Sequence, residues 1–464
     1  MGKEVIIRIQ RAAIKNFRNT ESGEILFPCS FEKDICAPKA DVLGIYGQNG
    51  SGKTTFIEAL GLLKKLLCGQ EAGEYLPDCI SYGQERAELQ CEFSILGLDG
   101  EKELYRRRLV YSAVLSKDTI DETVRCVTFH DGQKKAVRLK TIFEISHQPE
   151  SEEFTPQIKL ESLFGSRKSI ARDELRVIKL LCQKEHRSFL FSPEFLKMLR
   201  EAAQKHDDGV DPLFETAHFA KTSFFVIQRR NSRVFCLNMA VPAGTADGML
   251  SISTEQSVTV PERFLEPIRQ AVSEVNAVLY KMIPGTNLVL AEYGTELIED
   301  GGKGTKIQLV RELLCEGGKT RQIPLKDESE GIRKLVSILH LLIAAYSNPS
   351  ITLAVDDLDS GISEYLLGEL LRVMQNSGKG QLIFSAHNLY PLETLQSRSV
   401  VFTTTDAADR YTRIGSIRST NNLRSMYLRE IALDSNLYKE ISIPEIAHAM
   451  RNIQKLAEKG TQHV

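Results

Sequence analysis

No apolar run in this 464-residue chain reaches the length of a membrane span, which excludes a helical membrane protein. The segment Met1-Gly2-Lys3-Glu4-Val5 opens directly into a strand-like pattern without a signal-peptide h-region. Gly2 also lacks the Ser or Thr that a myristoylation motif places downstream. A cytoplasmic protein with no membrane partner is the expectation. The nine cysteines, from Cys29 to Cys315, include no C-x-x-C pair, and Cys29 and Cys36 have no His at zinc-ligand spacing. Buried reduced thiols and no structural metal follow from that. Neither sign of charge dominates: a net charge of −2 excludes a wholly basic nucleic-acid binder but leaves room for a local basic groove. Low-complexity tracts, internal repeats and long heptad runs are also missing, so a coiled-coil arm is not expected. What remains is 42% hydrophobic and 26% charged, the composition of a globular protein with two or three domain-sized units.

Against these absences stands one dense local pattern. Gly47-Gln48-Asn49-Gly50-Ser51-Gly52-Lys53-Thr54 reads G-x-x-x-x-G-K-[ST]. Glycines let the backbone curl so that the N–H groups of Asn49 through Thr55 can point at phosphate oxygens. Lys53 reaches the β/γ-phosphates, and the Thr54 hydroxyl is a Mg²⁺ ligand. An ordinary Gly-rich turn is the plain alternative. Asp41 to Tyr46, however, reads as a buried strand entering the loop, and Thr55 to Leu63 as a helix leaving it with its N-terminus toward the anion. The expected ligands are ATP or GTP with Mg²⁺.

Around this loop the pattern is α/β. Ile6-Ile7-Arg8-Ile9 and Ala13-Ile14-Lys15-Asn16-Phe17-Arg18 read as two short strands. Leu89 to Ile95, Glu103 to Ser112 and Thr123 to Phe129 alternate as antiparallel strands, with turns at Gly97-Leu98-Asp99-Gly100 and His130-Asp131-Gly132. This sheet is expected beside the nucleotide, at one edge of a parallel core. From about Ser166 to Glu215 the chain turns helical and charged, with Arg176, Lys184, Arg187, Lys197, Arg200 and Lys205 among acids. Leu175, Ile178 and Leu181 mark its apolar face. Thr222 to Met239 and Asn287 to Val310 return to strand-like alternation, and Pro261 to Met282 between them is helical.

Three further stretches carry chemistry. Ile351 to Val355 is an apolar strand ending in Asp356-Asp357, and ligands sit at such carboxyl ends. Asp356 is placed to hold the Mg²⁺ hydration shell and Asp357 to polarise an attacking water; a surface turn after a core strand is the alternative. Gln381 to Ala386 is a second such strand, ending at His387. A lone His is more often structural, but one helix (Ile362 to Gln375) separates this one from the acid pair, as a βαβ unit would, and it can touch a γ-phosphate. Finally, Lys326 to Lys334 opens an apolar helix running to Tyr346. Ser329 there serves equally well as an N-cap or, with Gly331, as a cradle for an incoming phosphate.

Taken together these motifs resemble an ABC-class ATPase head of the SMC, RecF and OLD (overcoming lysogenization defect) type. Ala13 to Arg18 is similar to that group's opening strand, Ser329-Glu330-Gly331 to its shortened signature, Val355-Asp356-Asp357-Leu358-Asp359 to Walker B plus D-loop, and Ser385-Ala386-His387-Asn388 to the switch histidine. More narrowly, Asp359-Ser360-Gly361-Ile362, Gly378-Lys379-Gly380-Gln381 and Asn421-Asn422-Leu423-Arg424 resemble bacterial AAA/ABC ATP-binding proteins of the abortive-infection type, which commonly serve anti-phage systems. The resemblance implies ATP and Mg²⁺ as ligands, Asp357 and His387 as catalytic groups, and Asp359 in the D-loop. It implies a homodimer or higher homo-oligomer in which Ser329 and Gly331 contact the partner's nucleotide. Asp357 stands where many relatives carry Glu, so slow hydrolysis is implied. The glutamine that usually follows the first helix has three candidates, Gln70, Gln84 and Gln228.

The expected architecture is an ABC-type head with an inserted helical subdomain: an N-terminal ATPase lobe (1–160), helical insertion and connecting strands (161–285), a C-terminal lobe (286–420) and a helical tail (421–464). With no nuclease signature after His387, a separate effector, a nuclease among the candidates, is the expected partner. The competing reading is a RecF-like DNA-repair ATPase binding duplex DNA across the dimer, supported by Asp356-Asp357 and by the basic clusters Arg106-Arg107-Arg108 and Arg229-Arg230. A transporter subunit fits less well, since Ser-Glu-Gly is not the transporter signature.

Overall fold

The computed structural model describes residues 4–31, 39–72, 75–100, 102–129, 138–148, 151–203, 209–228, 236–240, 249–298, 302–314, 320–414 and 422–432, with single positions at 437, 445, 448 and 450. Cys36, His130-Asp131-Gly132, Lys205, Arg229-Arg230, Cys315, Asn421 and most of the tail after 432 lie outside them. The chain begins with β1 (Glu4–Phe17), β2 (Thr20–Leu26), β3 (Asp41–Tyr46), α1 (Lys53–Leu67) and the short α2 (Tyr75–Cys79). It continues with β4 (Ala87–Asp99), β5 (Lys102–Leu115), β6 (Ile120–Phe129), β7 (Lys140–Ile145) and β8 (Phe154–Thr155). Helices α3 (Gln157–Phe164), α4 (Ile170–Lys184), α5 (Pro193–Ala203) and α6 (Asp211–Thr222) lead to β9 (Phe224–Ile227). Next come β10 (Cys236–Ala240), β11 (Met249–Ser253), β12 (Val258–Pro261), α7 (Glu262–Met282), β13 (Thr286–Leu297), β14 (Lys303–Leu314) and β15 (Thr320–Pro324). The last described elements are α8 (Glu330–Ser347), β16 (Thr352–Val355), α9 (Glu364–Ser377), β17 (Gln381–Ser385), β18 (Val400–Thr403), β19 (Tyr411–Thr412) and α10 (Leu423–Ala432).

The centre is a six-stranded sheet in the order β19-β18-β3-β17-β16-β9. All neighbours in it run parallel except β19, which pairs antiparallel with β18. Both faces are buried, which is why its strands are apolar throughout rather than alternating. In β3, Leu43 and Ile45 face one core and Val42 and Tyr46 the other. The first core contains α1 and the seven-stranded antiparallel sheet β2-β1-β4-β5-β6-β7-β8; the second contains α7, α8 and α9.

Several sequence expectations change here. The two short strands before the phosphate loop are one strand, β1, whose register shifts between Ile9 and Arg11 against β4. Gln381 occupies that irregularity: its Nε2 donates to the Ile9 carbonyl at 2.8 Å and to Asp41 Oδ2 at 2.7 Å, and its Oε1 accepts from the Ile9 N–H at 3.1 Å. The antiparallel sheet does not extend an edge of the core; it covers a face, with α1 between, because Leu43, Ile45, Ala354, Ile383 and Val401 need an apolar partner there. β9 lies within 161–285 yet forms the last strand of the core sheet, so the sequence divisions do not coincide with packed units. In α4, Leu175 is buried but Leu181 is exposed; the buried stripe is Arg172, Leu175, Lys179 and Cys182.

Candidate functional site

Strand order determines which residues meet. β3, β17, β16 and β9 are parallel, so the phosphate loop after β3, His387 after β17, Asp356-Asp357 after β16 and Gln228 after β9 emerge at the same carboxyl edge. The result is a cleft of about 510 Å³ lined by Asn49, Gly50, Gly52, Lys53, Thr54 and Thr55. Asp357, Asp359 and His387 face them across it, joined by Asn19 and Ser360.

The loop geometry follows from its glycines. Gly52 precedes α1 with φ of 102°, a conformation open to glycine, and leaves the first N–H groups of the helix pointing into the cleft. At Gly47 a Cβ would come within 1.8 Å of Thr403 Oγ1, so only glycine lets β18 press against the loop. Ser51 does not line the cleft; its hydroxyl bonds Thr403, and Tyr411 Oη donates to the Gly52 carbonyl at 2.9 Å. Lys53 Nζ donates to the Gly47 carbonyl at 2.7 Å and the Gln48 carbonyl at 3.0 Å. Burial lowers the Lys53 ammonium from its ordinary pKa, and the charges of Asp357, Asp356 and Asp359 oppose that.

Across the cleft, Asp356 is 1% exposed. Its Oδ1 accepts from Ser385 Oγ at 2.6 Å and from Thr54 Oγ1 at 3.3 Å. Its Oδ2 is buried and has no hydrogen-bond partner among the described residues. Burial raises the Asp356 carboxyl above the ordinary carboxylate range; Asp357 adds to the rise and the Ser385 hydrogen bond counters it. An orphaned carboxylate oxygen beside a Thr hydroxyl is a hard oxygen donor set, and it fits Mg²⁺. Asp357 has φ of 48° and its N–H donates to Ser385 Oγ at 2.8 Å. His387 Nε2 lies 3.5 Å from Asp357 Oδ1. The Asp359 carboxylate accepts the N–H groups of His387 and Asn388, at 2.8 Å and 2.7 Å, so it fastens the loop after β17 as well as lining the cleft.

Ser329 and Gly331 do not join this cleft. Ser329 caps α8, its Oγ accepting from the Ile332 N–H at 3.3 Å. Gly331 packs backbone to backbone on Gly361, where a Cβ would approach the Gly361 carbonyl oxygen to 1.8 Å. Of the three glutamines, Gln228 directly follows β9, the strand beside β16, and its side chain lies against Gly61 of α1. Gln70 sits past the far end of α1, and Gln84 in the turn before β4.

The sequence reading missed Asn19, whose Nδ2 donates to the Gly50 carbonyl at 2.7 Å and whose Oδ1 accepts from Thr55 at 2.8 Å. Its position one residue after the Ala13–Arg18 motif was the available signal. Ser385, bridging both acids of the β16 tip, was signalled only by its place at the end of a strand. The basic cluster is occupied: Arg106 pairs with Glu103 at 2.9 Å, Arg107 with Glu215 at 2.7 Å and Arg108 with Glu92 at 2.7 Å.

The sequence pattern of a family described as "AAA domain, putative AbiEii toxin, Type IV TA system" matches residues 42–393. The chain belongs to this family. Family and site together make it a P-loop ATPase of the AAA/ABC class, with a mixed α/β fold that carries an antiparallel subdomain. No curated protein matches the chain. Among solved structures it is similar to an Smc head domain with an extended coiled coil, bound to the C-terminal domain of ScpA and derived from Pyrococcus furiosus. Identity there is 12%, coverage 92% of this chain and 100% of that one, and the TM-score 0.41. The SMC head domain from Thermotoga maritima is 14% identical, with 88% and 100% covered and a TM-score of 0.37. The ATP complex of the recombination mediator RecF of the RecFOR pathway is 9% identical, with 82% and 94% covered and a TM-score of 0.34. These likenesses are loose, and the fold assignment rests on the sheet order and phosphate loop above. No helix among the described residues is long and apolar enough to cross a membrane.

Proposed function

We propose that the protein binds and hydrolyses ATP in a composite site and uses nucleotide-dependent dimerisation as a sensor or scaffold in anti-phage defence, controlling a separate effector. The convergence of Lys53, Thr54, Asp357 and His387 on one cleft, with the buried Asp356 hydrogen-bonded to Thr54, carries the ATPase part of this reading. The toxin–antitoxin wording of the family description supports the defence part. The engaged arginines at 106–108 give no support to the duplex-DNA alternative.

In this mechanism the loop N–H groups and Lys53 bind the β- and γ-phosphates, and Asn19 braces the loop through Gly50 and Thr55. Thr54 would hold Mg²⁺ and Asp356 its hydration shell, and the ion on binding supplies charge neutralisation for the phosphates. Asp357 orients a water and accepts its proton as the water oxygen attacks the γ-phosphorus and the bond to ADP breaks. His387 contacts the γ-phosphate side and Asp357 together. Gln228, at the tip of the neighbouring strand, is the glutamine placed to serve this site. Ser329 and Gly331, outside the cleft of their own chain, serve the partner's nucleotide at the positive end of α8.

The test is the ATPase rate per chain against protein concentration, for wild type and Ser329→Arg. Wild-type rate should climb with concentration while Ser329→Arg binds ATP yet stays slow at all concentrations. A Ser329→Arg variant with wild-type hydrolysis would refute the composite site.

A further inference from the structure

The tip of β16 holds a left-handed conformation that non-glycine residues adopt uncommonly, Asp and Asn more readily than most, and several contacts hold it there: Asp357 sits at φ of 48°. Three of the enforcing contacts come from neighbouring core strands. The Asp356 N–H donates to the Ile227 carbonyl at 2.9 Å, the Asp357 N–H to Ser385 Oγ at 2.8 Å, and the Leu358 N–H to the Ser385 carbonyl at 3.0 Å. The fourth comes from α8, where Lys334 Nζ donates to the Asp356 carbonyl at 3.2 Å. That carbonyl belongs to the peptide plane between the two acids. Gripping it sets the rotation about the Asp357 N–Cα bond, and so the direction of the Asp357 side chain.

Lys334 is 5% exposed, and its Nζ is turned to the Asp356 carbonyl. Burying an ammonium is costly unless it is paired, and an apolar residue of similar length would fill the same space without that cost. What it finds there is the Asp356 carbonyl and the charges of Asp356, Asp357, Asp359 and Glu330. Its helix is the one capped by Ser329, and Gly331 on the same helix is packed on Gly361 just beyond the tip.

We propose that Lys334 is a positioning residue for hydrolysis: by holding the Asp356 carbonyl it fixes the Asp356–Asp357 peptide and aims the Asp357 carboxylate at the attacking water. The proposal rests on Asp357 being the group that polarises that water. Misplacing a catalytic group by an ångström costs on the order of a hundredfold in rate, while phosphate binding, which uses other residues, is spared.

The test uses full-length Lys334→Met, Lys334→Gln and Lys334→Arg beside Asp357→Asn. It reads ATP affinity with a fluorescent ATP analogue, single-turnover hydrolysis, and thermal melting. Lys334→Met should lose about ten- to a hundredfold in hydrolysis rate with ATP affinity within about twofold of wild type, and Lys334→Arg, which keeps a donor, should recover most of the rate. Lys334→Gln keeps a polar group at shorter reach and provides a second folded protein should the Met variant melt early; it should also be slow with intact affinity. Either folded variant hydrolysing at the wild-type rate overturns the proposal. So does a joint loss of rate and affinity that Lys334→Arg fails to rescue, since that marks a packing role. If Asp357→Asn itself hydrolyses normally, the reading of Asp357 falls and this inference with it. If Asp357→Asn is inactive while Lys334→Met turns over normally, only the role of Lys334 falls.

Discussion

Glu122 and Asp356 are both 1% exposed, and the protein treats these two carboxylates in opposite ways. Glu122, in β6, has every side satisfied. Its Oε1 accepts from Tyr111 and Ser188, and its Oε2 from the N–H groups of Phe189 and Leu190 at 2.7 Å and 3.1 Å. It fastens the segment between α4 and α5 onto the antiparallel sheet. Asp356 has one satisfied oxygen and one without a partner among the described residues. A buried charge with all its hydrogen bonds made is an anchor; one with a vacant lone pair at a strand tip is a place for a ligand. Left-handed backbone does not follow the same division: Asp357 holds it next to the orphaned oxygen, and His186 holds it in the segment that Glu122 fastens.

The comparison can be broken from its functional side first. Lys53→Ala should reduce ATP affinity by at least about a hundredfold, because the charge-assisted contacts to the β/γ-phosphates go with the ammonium; equilibrium binding measures it. Next comes the exchange of roles between the two acids. Glu122→Gln places an amide NH₂ against donors and should cost about 2 kcal/mol of stability, read by denaturant unfolding, with ATP affinity unchanged. Asp356→Asn removes a charge that burial disfavours and should leave the melting temperature level or higher. Asp356→Asn that melts lower than Glu122→Gln would invert the argument.

The smallest effect is in pH. Burial raises the Glu122 carboxyl above its ordinary 4.5, with its hydrogen bonds opposing. The folded state therefore holds that proton more tightly than the unfolded chain. Its contribution is fully present below the unfolded pKa and declines as pH rises through the folded one. The stability advantage of wild type over Glu122→Gln should be larger near pH 5 than near pH 8, by melting in each buffer.

What the sequence made legible was local. The phosphate loop and the apolar strand before Asp356-Asp357 each lie within one continuous stretch, where spacing alone states the chemistry, while at Ser329 spacing left cap and phosphate cradle equally open. Contacts between distant stretches were not legible. Nothing near Gln381 announces that its amide would fill an irregularity in β1, 372 positions away. That is why β1 read as two strands. Strand order was equally hidden, and it is what separates Gln228 from Gln70 and Gln84. In α4 the hydrophobic period held at Leu175 and Ile178 and failed at Leu181. Two cations, Arg172 and Lys179, bury by hydrogen bonding Gln157 and the Ser146 carbonyl, while Val177, Leu180 and Leu181 stay exposed. The left-handed turn at Asp357 and the lysine that holds it lay outside any pattern of apolar and polar residues.

The most direct measurement is ATP affinity by calorimetry, in Mg²⁺ and in EDTA, for wild type and Asp356→Asn. If the orphaned oxygen is the cation's place, Mg²⁺ should tighten ATP binding to wild type by at least about tenfold and leave the Asn variant nearly indifferent. Equal Mg²⁺ dependence in the two proteins would contradict the account.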